Sequence, residues 1–324
     1  ILTPYLSQHP ELQSNFGYAW SNSNCSIYSQ MLLRSALSPE ALRNQRQSPW
    51  SQLIGLWQYA KRAGYQTYYL DAQQNPGVLT NFMSAPELAW IDHKQWFSAP
   101  AVQRDQRMAK AGKKILNAPG KHFIYMVKHG VHFNYENSYP HPQGERFAPH
   151  LSFHPKAFDY SQTALQRSYS NGIRWAVDQF FRTLLTNLNL SDTIVIYTSD
   201  HGQNLLDDGH FATHCRNQHA TWQEFLVPMI LFTQQPQLKQ RLDLQKQLLY
   251  NQSAHALLPK TLLEIMGYQQ QQMPSGPSLL RNQSYSPILV LGSIFKKQLQ
   301  QFQFDPQLVN IHRQNLSKQF SFLQ

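Results

Sequence analysis

The sequence predicts an α/β fold in which a mainly parallel sheet is flanked by helices. Short apolar segments rich in β-branched or aromatic residues alternate with longer segments whose apolar residues recur at helical spacing. The chain of 324 residues, 41% of them hydrophobic, is long enough to bury a substantial core in one large domain or two small ones. The sequence contains no internal repeat.

Five segments have the composition of buried strands, being short, apolar and rich in β-branched or aromatic residues. They are residues 67–71, 122–127, 193–198, 228–233 and 287–292. Apolar residues at helical spacing predict helices over residues 51–63, 173–188 and 253–266. Gly64 and Gly267 follow the first and last of these, where a glycine commonly ends a helix.

Two segments carry weaker signals. Residues 135–155 are rich in Pro, His and Asn and predict a long surface loop, a type of segment that is often functional. Beyond Lys296 the chain is rich in Gln and weakly periodic, which predicts a peripheral helix or tail.

The net charge of +10 does not by itself indicate nucleic-acid binding. Lys and Arg are scattered or in pairs, and no recognition helix, zinc finger or aromatic-basic sheet is present in the sequence. A diffuse positive charge suits an anionic substrate or an anionic membrane surface, or serves solubility alone.

The apolar runs, the start of the chain and the two cysteines give information about the cellular compartment of the protein. The longest apolar run begins at Ile288 and is far shorter than the roughly 20 residues of a membrane span. The chain opens at Ile1 without an initiator Met or a signal peptide, so we expect a fragment or a processed form. Cys25 and Cys215 allow one disulfide in an oxidising compartment, or two free thiols.

The sharpest chemical signal is the segment 193–202, which reads Thr-Ile-Val-Ile-Tyr-Thr-Ser-Asp-His-Gly. The apolar strand delivers Asp200 and His201 at its carboxyl end, where parallel sheets bind their ligands, and Gly202 is expected to let the chain turn. A carboxylate and an imidazole are common ligands of zinc or a similar divalent ion. The alternative is an ordinary turn before a capped helix.

In these residues the chain resembles the alkaline phosphatase and sulfatase superfamily, especially the bacterial phosphoethanolamine and phosphoglycerol transferases. The shared features are a helix of the type at 177–188, the strand ending in Ser-Asp-His-Gly, a core strand at 227–230 and a closing helix at 254–268. The resemblance implies a three-layer α/β sandwich. It also implies a catalytic domain over residues 1–285 and a C-terminal strand with a peripheral helix or tail over residues 286–324.

The resemblance places the attacking residue at a helix start within residues 21–30. Ser26 matches the nucleophile of the transferases, with Tyr28, Ser29 and Ser35 at matching offsets. Cys25 matches the cysteine that sulfatases oxidise to formylglycine, although the Pro and Arg of that maturation signal are absent downstream. A helix start stabilises an anionic nucleophile or a phosphate through its free N–H groups. The alternative is a Ser/Asn-rich helix cap without chemistry.

Histidines complete the implied site. The resemblance assigns His132 a substrate-side or second-metal role, with His129 as the competing residue. It assigns His214 a contact with the phosphoryl group or a metal, with His210 as the alternative. We expect Cys25 and Cys215 to lie close together, because they adjoin Ser26 and His214, and they could then form a disulfide.

One departure from the family concerns the first strand. Its members open with a strand that ends in Glu or Asp and supplies a further ligand to the same metal. That strand should precede residues 3–6, but only Ile1 and Leu2 do so here. Glu11, between Pro10 and Leu12, does not have the sequence context of the expected ligand. Either this strand is missing from the sequence, or the protein has lost part of its metal site.

The resemblance implies metal-dependent transfer or hydrolysis of a phosphate-ester group through a covalent intermediate on Ser26. Asp200, His201 and His214 would hold a divalent metal, zinc or, in a sulfatase, calcium, while His132 and His214 act on the transferred group. The substrate would be a lipid or sugar with an anionic ester group, not nucleic acid. A membrane anchor outside this chain would place the domain on the periplasmic face of a bacterial inner membrane. The alternatives are a sulfuric ester hydrolase that uses Cys25, and a non-catalytic relative that binds a glycan or another anion.

Overall fold

The computed structural model describes residues 1–35, 55–73, 83–151, 161–210, 213–282, 287–292 and 301–303. Within these ranges the α-helices are α1 (Pro4–Gln8), α2 (Ser26–Ser35), α3 (Leu56–Arg62), α4 (Ala85–Leu88), α5 (Ala101–Leu116), α6 (Gln162–Ile173), α7 (Phe180–Leu185), α8 (Pro236–Leu249) and α9 (Leu258–Ile265). A π-helical segment, Arg174–Gln179, joins α6 to α7. No helix in these ranges is both long and apolar enough to cross a membrane.

The strands form three sheets. They are β1 (Gln13–Trp20), β2 (Gln66–Asp71), β3 (His93–Trp96), β4 (His122–Val127), β5 (Val195–Tyr197), β6 (Leu226–Phe232), β7 (Ser253–Ala254), β8 (Ile288–Val290) and β9 (Gln301–Gln303). The sheet in the order β3-β2-β4 is parallel throughout. In the order β5-β6-β1-β7, β6 runs antiparallel to both of its neighbours and β1 runs parallel to β7.

The predicted α/β class is confirmed, but a mainly parallel central sheet is not. The strand at 226–232 has the apolar composition of a buried parallel strand, yet it is antiparallel to β1 and β5. Burial on both faces explains the difference, since composition reports burial and not strand direction. Each of the five predicted strands overlaps an observed strand, and the prediction missed β1, β3, β7 and β9.

The predicted helices are shorter and more broken than their apolar spacing indicated. Residues 51–54 of the first lie outside the described ranges, and the helix there is α3. The second, at 173–188, is divided into the π-helical segment and α7. The third, at 253–266, begins as β7 and a 3-10 turn (His255–Leu257) before α9. The pattern did not reveal α1, α4, α5, α6 or α8, and in α6 the buried side includes polar residues such as Gln166 and Asn171, which hide the apolar spacing.

The two remaining predictions fall partly outside the described ranges. Of the predicted loop, residues 135–151 form a short 3-10 helix (Tyr135–Ser138) and turns. Of the predicted tail, β9 pairs with β8, and Val290 of β8 bridges to Ser23 beside the N-terminal end of α2.

Helices cover both faces of the sheet that contains β5, β6 and β1. On one face, Phe181 and Phe232 stack at 4.8 Å between ring centroids within a core that also includes residues of α1 and α5. On the other face, Phe16 and Leu231 lie in a core with residues of α2, α8 and α9. The result is a layered arrangement of helices around a sheet, in keeping with the predicted sandwich.

A gap separates the two large sheets. β4 pairs with β2 on one edge and β5 pairs with β6 on one edge, and within the described residues neither strand has a partner on its other edge. A cavity of about 350 Å³ lies between them, lined along its length by residues of β4 and β5. All three residues of β5 are half-buried. Asp200 follows the carboxyl end of β5 and His132 follows that of β4, and both residues also line the cavity.

A buried carboxylate fixes the first helix to the π-helical segment. Asp178 accepts the backbone N–H groups of Tyr5 and Leu6, each at 3.1 Å. These N–H groups belong to the first turn of α1 and have no partner within a helix of this length. Asp178 therefore caps α1 from a segment more than 170 residues away in sequence.

We predict that Asp178→Ala lowers the free energy of unfolding by about 1–3 kcal/mol, because it leaves two buried N–H groups without an acceptor. Urea denaturation followed by circular dichroism measures the change. Asp192→Ala is the control, since Asp192 is exposed and accepts only from Asn189 at 2.8 Å. Equal losses in the two variants would contradict the capping role.

Candidate active site

The site is centred on a contact between the first residue of α2 and the turn after β5. The Oγ atom of Ser26 lies 3.1 Å from Nε2 of His201. The Oδ1 atom of Asp200 lies 3.9 Å from the same nitrogen. The fold thus brings together Ser26, Asp200 and His201, which the sequence had singled out separately.

The tautomer of His201 follows from its hydrogen bonds. Its Nδ1 atom lies 2.7 Å from the carbonyl oxygen of Gly202. A carbonyl oxygen only accepts, so Nδ1 carries the proton and donates it there. The lone pair of Nε2 therefore points toward Ser26, in the form in which an imidazole accepts a proton or binds a metal.

Asp200 is half-buried, with 22% of its side chain exposed, and is ionised at neutral pH. Partial burial by itself would raise the pKa of this carboxyl group, but the imidazole of His201, the hydroxyl of Ser26 and the backbone N–H of His201 together hold the pKa below its usual value. The N–H of His201 donates to Oδ1 at 3.0 Å. The site therefore contains a half-buried negative charge, and among the described residues no Lys or Arg side chain forms an ion pair with it.

The three groups fit part of a divalent metal site. Bonds of about 2.0 Å in tetrahedral geometry place ligand atoms about 3.3 Å apart. The observed separations of 3.1 Å and 3.9 Å bracket this value. Within the described ranges, no three His, Cys, Asp or Glu side chains are grouped to hold a metal ion, and the third group beside Asp200 and His201 is the Ser26 hydroxyl.

His214 adjoins this centre. Its ring stacks on the ring of His201 with 4.1 Å between centroids and 23° between planes. Burial and the neighbouring His201 lower the pKa of His214 to about 3, and Asp200 opposes this shift. His214 is therefore neutral at physiological pH. The alternative, His210, is 82% exposed and interacts with Asp208, so it does not belong to this site.

His132 lies on the wall of the cavity that contains Ser26, Asp200 and His201, and its side chain is exposed. Its position depends on Asp105 of α5, whose carboxylate accepts the N–H of His129 at 2.7 Å and the N–H of Gly130 at 3.0 Å. The competing residue His129 is more enclosed, and burial lowers its pKa. The two rings lie 6.1 Å apart.

The predicted proximity of the two cysteines is confirmed. Cys25 and Cys215 form a disulfide with Cα atoms 4.6 Å apart. The bond joins the residue before Ser26 to the residue after His214, and therefore ties the helix start to the loop that carries the stacked imidazole. Because its sulfur is bonded, Cys25 is not available in this structure as the catalytic residue of the sulfatase alternative.

A buried polar network reinforces the disulfide. Nδ2 of Asn24 donates to Oε2 of Glu224 at 2.8 Å and to the carbonyl oxygen of Arg216 at 2.9 Å. Arg216 in turn donates to Glu224 at 2.7 Å and to Asp208 at 2.6 Å. Glu224 is fully buried, and its charge is paired here. The network fixes residues 213–217 against the segment before α2.

His255 also contacts the elements that carry the site, and the sequence analysis did not identify it as a site residue. Its imidazole is fully buried between Ser29 of α2 and Thr198 at the end of β5. The sequence offered only a single His before an amphipathic helix, which is indistinguishable from an ordinary core histidine.

Gly202 is needed at this turn because of close packing, and not because the turn requires a special backbone conformation. Its φ angle is not positive, so the turn does not need a glycine for backbone freedom. Instead, a Cβ atom at this position would lie 2.0 Å from the carbonyl oxygen of Gln223 and 2.6 Å from that of Leu226. The glycine is required because another backbone segment packs directly against the turn.

An α/β fold that presents a serine at a helix start to an Asp-His pair at a strand end defines the class of this protein as a sulfatase-type domain. The Sulfatase family model matches residues 2–268, and the chain belongs to this family.

Two curated relatives and one solved structure that resemble this chain are phosphoethanolamine transferases or a domain of one. Phosphoethanolamine transferase EptC of Escherichia coli K12 is 25% identical over 181 residues, which cover 53% of this chain and 31% of the relative. Kdo(2)-lipid A phosphoethanolamine 7''-transferase of Salmonella typhimurium is 31% identical over 120 residues, covering 36% of this chain and 20% of the relative. The crystal structure of the C-terminal periplasmic domain of Escherichia coli EptC in complex with Zn superposes with a TM-score of 0.72 at 18% identity, covering 94% and 86% of the two chains. The matched segments thus span less than a third of either curated relative.

We predict that Gly202→Ala weakens zinc binding at least about 10-fold, because the added methyl group displaces the turn that orients Asp200 and His201. Competition with a chromophoric chelator measures the zinc affinity. Gly64→Ala is the control, since Gly64 has a φ of +83° and no atom near the added Cβ, so the substitution strains the backbone away from the site. Unchanged zinc affinity in Gly202→Ala would show that the close packing does not position the pair.

Proposed function

We propose that this chain is the catalytic domain of a phosphoethanolamine-transferase-like enzyme in which Ser26 is the nucleophile. The observation that carries the proposal is the 3.1 Å contact between Ser26 Oγ and the unprotonated Nε2 of His201, at the start of a ten-residue helix. The free N–H groups of that helix start favour an anionic oxygen or a phosphate at the same point.

Asp200, His201 and Ser26 would hold a divalent metal, and His214, whose ring stacks on that of His201, is placed to contact the transferred group. The zinc complex of the similar Escherichia coli domain favours zinc over calcium. When bound, the ion would lower the pKa of the serine hydroxyl and offset negative charge on the phosphoryl oxygens.

We assign Ser26 and His132 separate roles in a transfer that has two steps. Ser26 gives up its proton to the solvent of the cavity and its oxygen attacks the phosphorus, so that an O–P bond forms while the bond to the leaving oxygen breaks. The leaving oxygen takes up a proton, for which the exposed His132 on the cavity wall is the proposed donor. In the second step an acceptor hydroxyl, or water, gives its proton to His132 and attacks the phospho-serine, so that the bond from Ser26 to phosphorus breaks and Ser26 takes up a proton from solvent.

The contacts of Cys25 favour this mechanism over the sulfatase alternative. A formylglycine at residue 25 would require a free thiol before oxidation, and Cys25 is bonded to Cys215. The non-catalytic alternative has less support, because it gives no reason for the convergence of Ser26, Asp200 and His201.

We propose a lipid or sugar substrate that bears an anionic ester group, in the periplasm and beside a membrane anchor that lies outside this chain. The relative from Salmonella typhimurium is named for Kdo(2)-lipid A, and the similar solved domain is periplasmic. The net charge of +10 favours an anionic substrate, and the disulfide suits an oxidising compartment.

We also propose that, in the full-length protein, a strand from upstream of Ile1 fills the gap between β4 and β5 and completes the catalytic domain. The facing open edges of these strands, with a cavity of about 350 Å³ between them, support this proposal. A strand parallel to β5 would end beside Asp200. It could add a carboxylate as a further metal ligand beside Asp200 and His201.

The strand proposal predicts slower hydrogen exchange along β4 and β5 in a longer protein that includes the upstream segment. Amide exchange followed by mass spectrometry compares it with the 324-residue chain. We expect stronger protection in β4 and β5 and higher zinc affinity in the longer protein, while β2, which is paired on both edges, serves as the internal control. Unchanged protection at both strands would contradict the proposal.

The nucleophile assignment predicts a covalent adduct on Ser26. Mass spectrometry after incubation of the zinc-loaded longer protein with a phosphatidylethanolamine donor should find phosphoethanolamine on this residue. Ser26→Ala should abolish the adduct, because among the described residues the hydroxyl in contact with Nε2 of His201 is that of Ser26. Ser35→Ala, at the other end of α2, is the matched control and should retain it. An adduct that survives Ser26→Ala would overturn the assignment.

A further inference from the structure

His255 bridges the two elements that meet at the site, although it touches neither Ser26 nor Asp200 in its hydrogen bonds. It begins the 3-10 turn that follows β7, and its side chain is fully buried. Its ring nitrogens contact the segment before α2, the first turn of α2 and the end of β5. These are the elements that carry Ser26 and the Asp200–His201 pair.

The hydrogen bonds of His255 fix its tautomer. The backbone N–H of Asn22 donates to Nδ1 at 3.3 Å, and an N–H group only donates, so Nδ1 carries no proton. Nε2 must then carry it and donate to Oγ1 of Thr198 at 2.8 Å. Oγ1 of Thr198 can accept this hydrogen bond, because its own hydroxyl proton is directed to the carbonyl oxygen of Ser199 at 3.2 Å.

Ser29 extends the bridge to the metal-binding turn. Its Oγ atom lies 3.2 Å from Nδ1 of His255, a packing contact rather than a hydrogen bond, because its single hydroxyl proton is donated to the carbonyl oxygen of Asp200. One imidazole therefore contacts Thr198, two residues before Asp200, and Ser29, three residues after Ser26. Burial lowers the pKa of His255 to about 4, so that the neutral form is present at physiological pH.

We propose that His255 is a positioning residue that sets the distance between Ser26 and the Asp200–His201 pair. The proposal rests on the proposed function, in which these three residues form the reacting centre. A rigid, neutral imidazole suits this role, because it donates on one side and accepts on the other without adding charge beside a half-buried carboxylate. Groups that orient metal ligands from behind commonly change metal affinity or activity by about 10- to 100-fold when removed.

Three substitutions separate the two sides of the bridge. In His255→Asn an amide oxygen can replace Nδ1 as the acceptor for Asn22, whereas in His255→Gln an amide nitrogen can replace Nε2 as the donor to Thr198. His255→Leu keeps most of the volume and loses both hydrogen bonds. Thr261→Val is the matched control, since Thr261 is equally buried on the following helix and its hydroxyl bonds Leu257 and Leu279, away from the site.

The experiment measures zinc affinity, kcat and KM for nitrophenyl phosphate, and urea stability, in the same protein background. We expect His255→Leu to lower zinc affinity and kcat by about 10- to 100-fold, with KM little changed because His255 has no exposed surface. The Asn and Gln variants should each recover part of the loss. Thr261→Val should lose stability and keep the zinc affinity and kcat of the unsubstituted protein.

The proposal is overturned if the Asn and Gln variants, folded at the assay temperature, keep the zinc affinity and kcat of Thr261→Val. If His255→Leu does not fold, these two variants decide the question. If the unsubstituted protein neither binds zinc nor turns over substrate, the proposed function fails instead. In that case nitrogen-15 NMR still tests the bridge: a protonated Nδ1 in His255, or unshifted amide signals of Asp200 and His201 in the Asn and Gln variants, refutes it.

Discussion

The contact between Ser26 and His201 depends on joining two segments that lie 175 residues apart in the chain. Neither segment can hold this geometry alone, because Ser26 begins a helix and His201 lies in a turn without regular structure. The disulfide between Cys25 and Cys215, the hydrogen bond between Asn24 and Glu224 and the imidazole of His255 all cross the same junction. Most of the buried polar groups around the site serve to keep these two segments in register.

The electrostatics of the junction follow from this construction. The ionised Asp200 is half-buried, whereas burial keeps the neighbouring His214 and His255 neutral by lowering their pKa values to about 3 and about 4. The buried carboxylate of Glu224 nearby is paired with Arg216. The charge of Asp200 therefore lies where a cation would bind, between imidazoles that add no positive charge of their own.

The division into two sheets has a consequence for stability as well as for function. An open strand edge exposes N–H and C=O groups that water or another strand must satisfy. In this structure two such edges, those of β4 and β5, face each other across a cavity that leads to the site. Completion of the sheet and completion of the site are therefore expected to be coupled, since a single added strand would affect both.

The sequence by itself determined the α/β class and the strands predicted at 122–127 and 67–71, and it singled out Ser26, Asp200 and His201 as candidate site residues, because these features depend on local composition and on short motifs. It also predicted that Cys25 and Cys215 lie close together. It did not determine strand direction, since a strand buried on both faces has the same composition in either orientation. The choice between His210 and His214 required the fold, which stacks one ring on His201 and leaves the other exposed. Only the tertiary structure showed why residue 202 is a glycine and what His255 contacts, because both depend on segments that are distant in sequence and packed together in space.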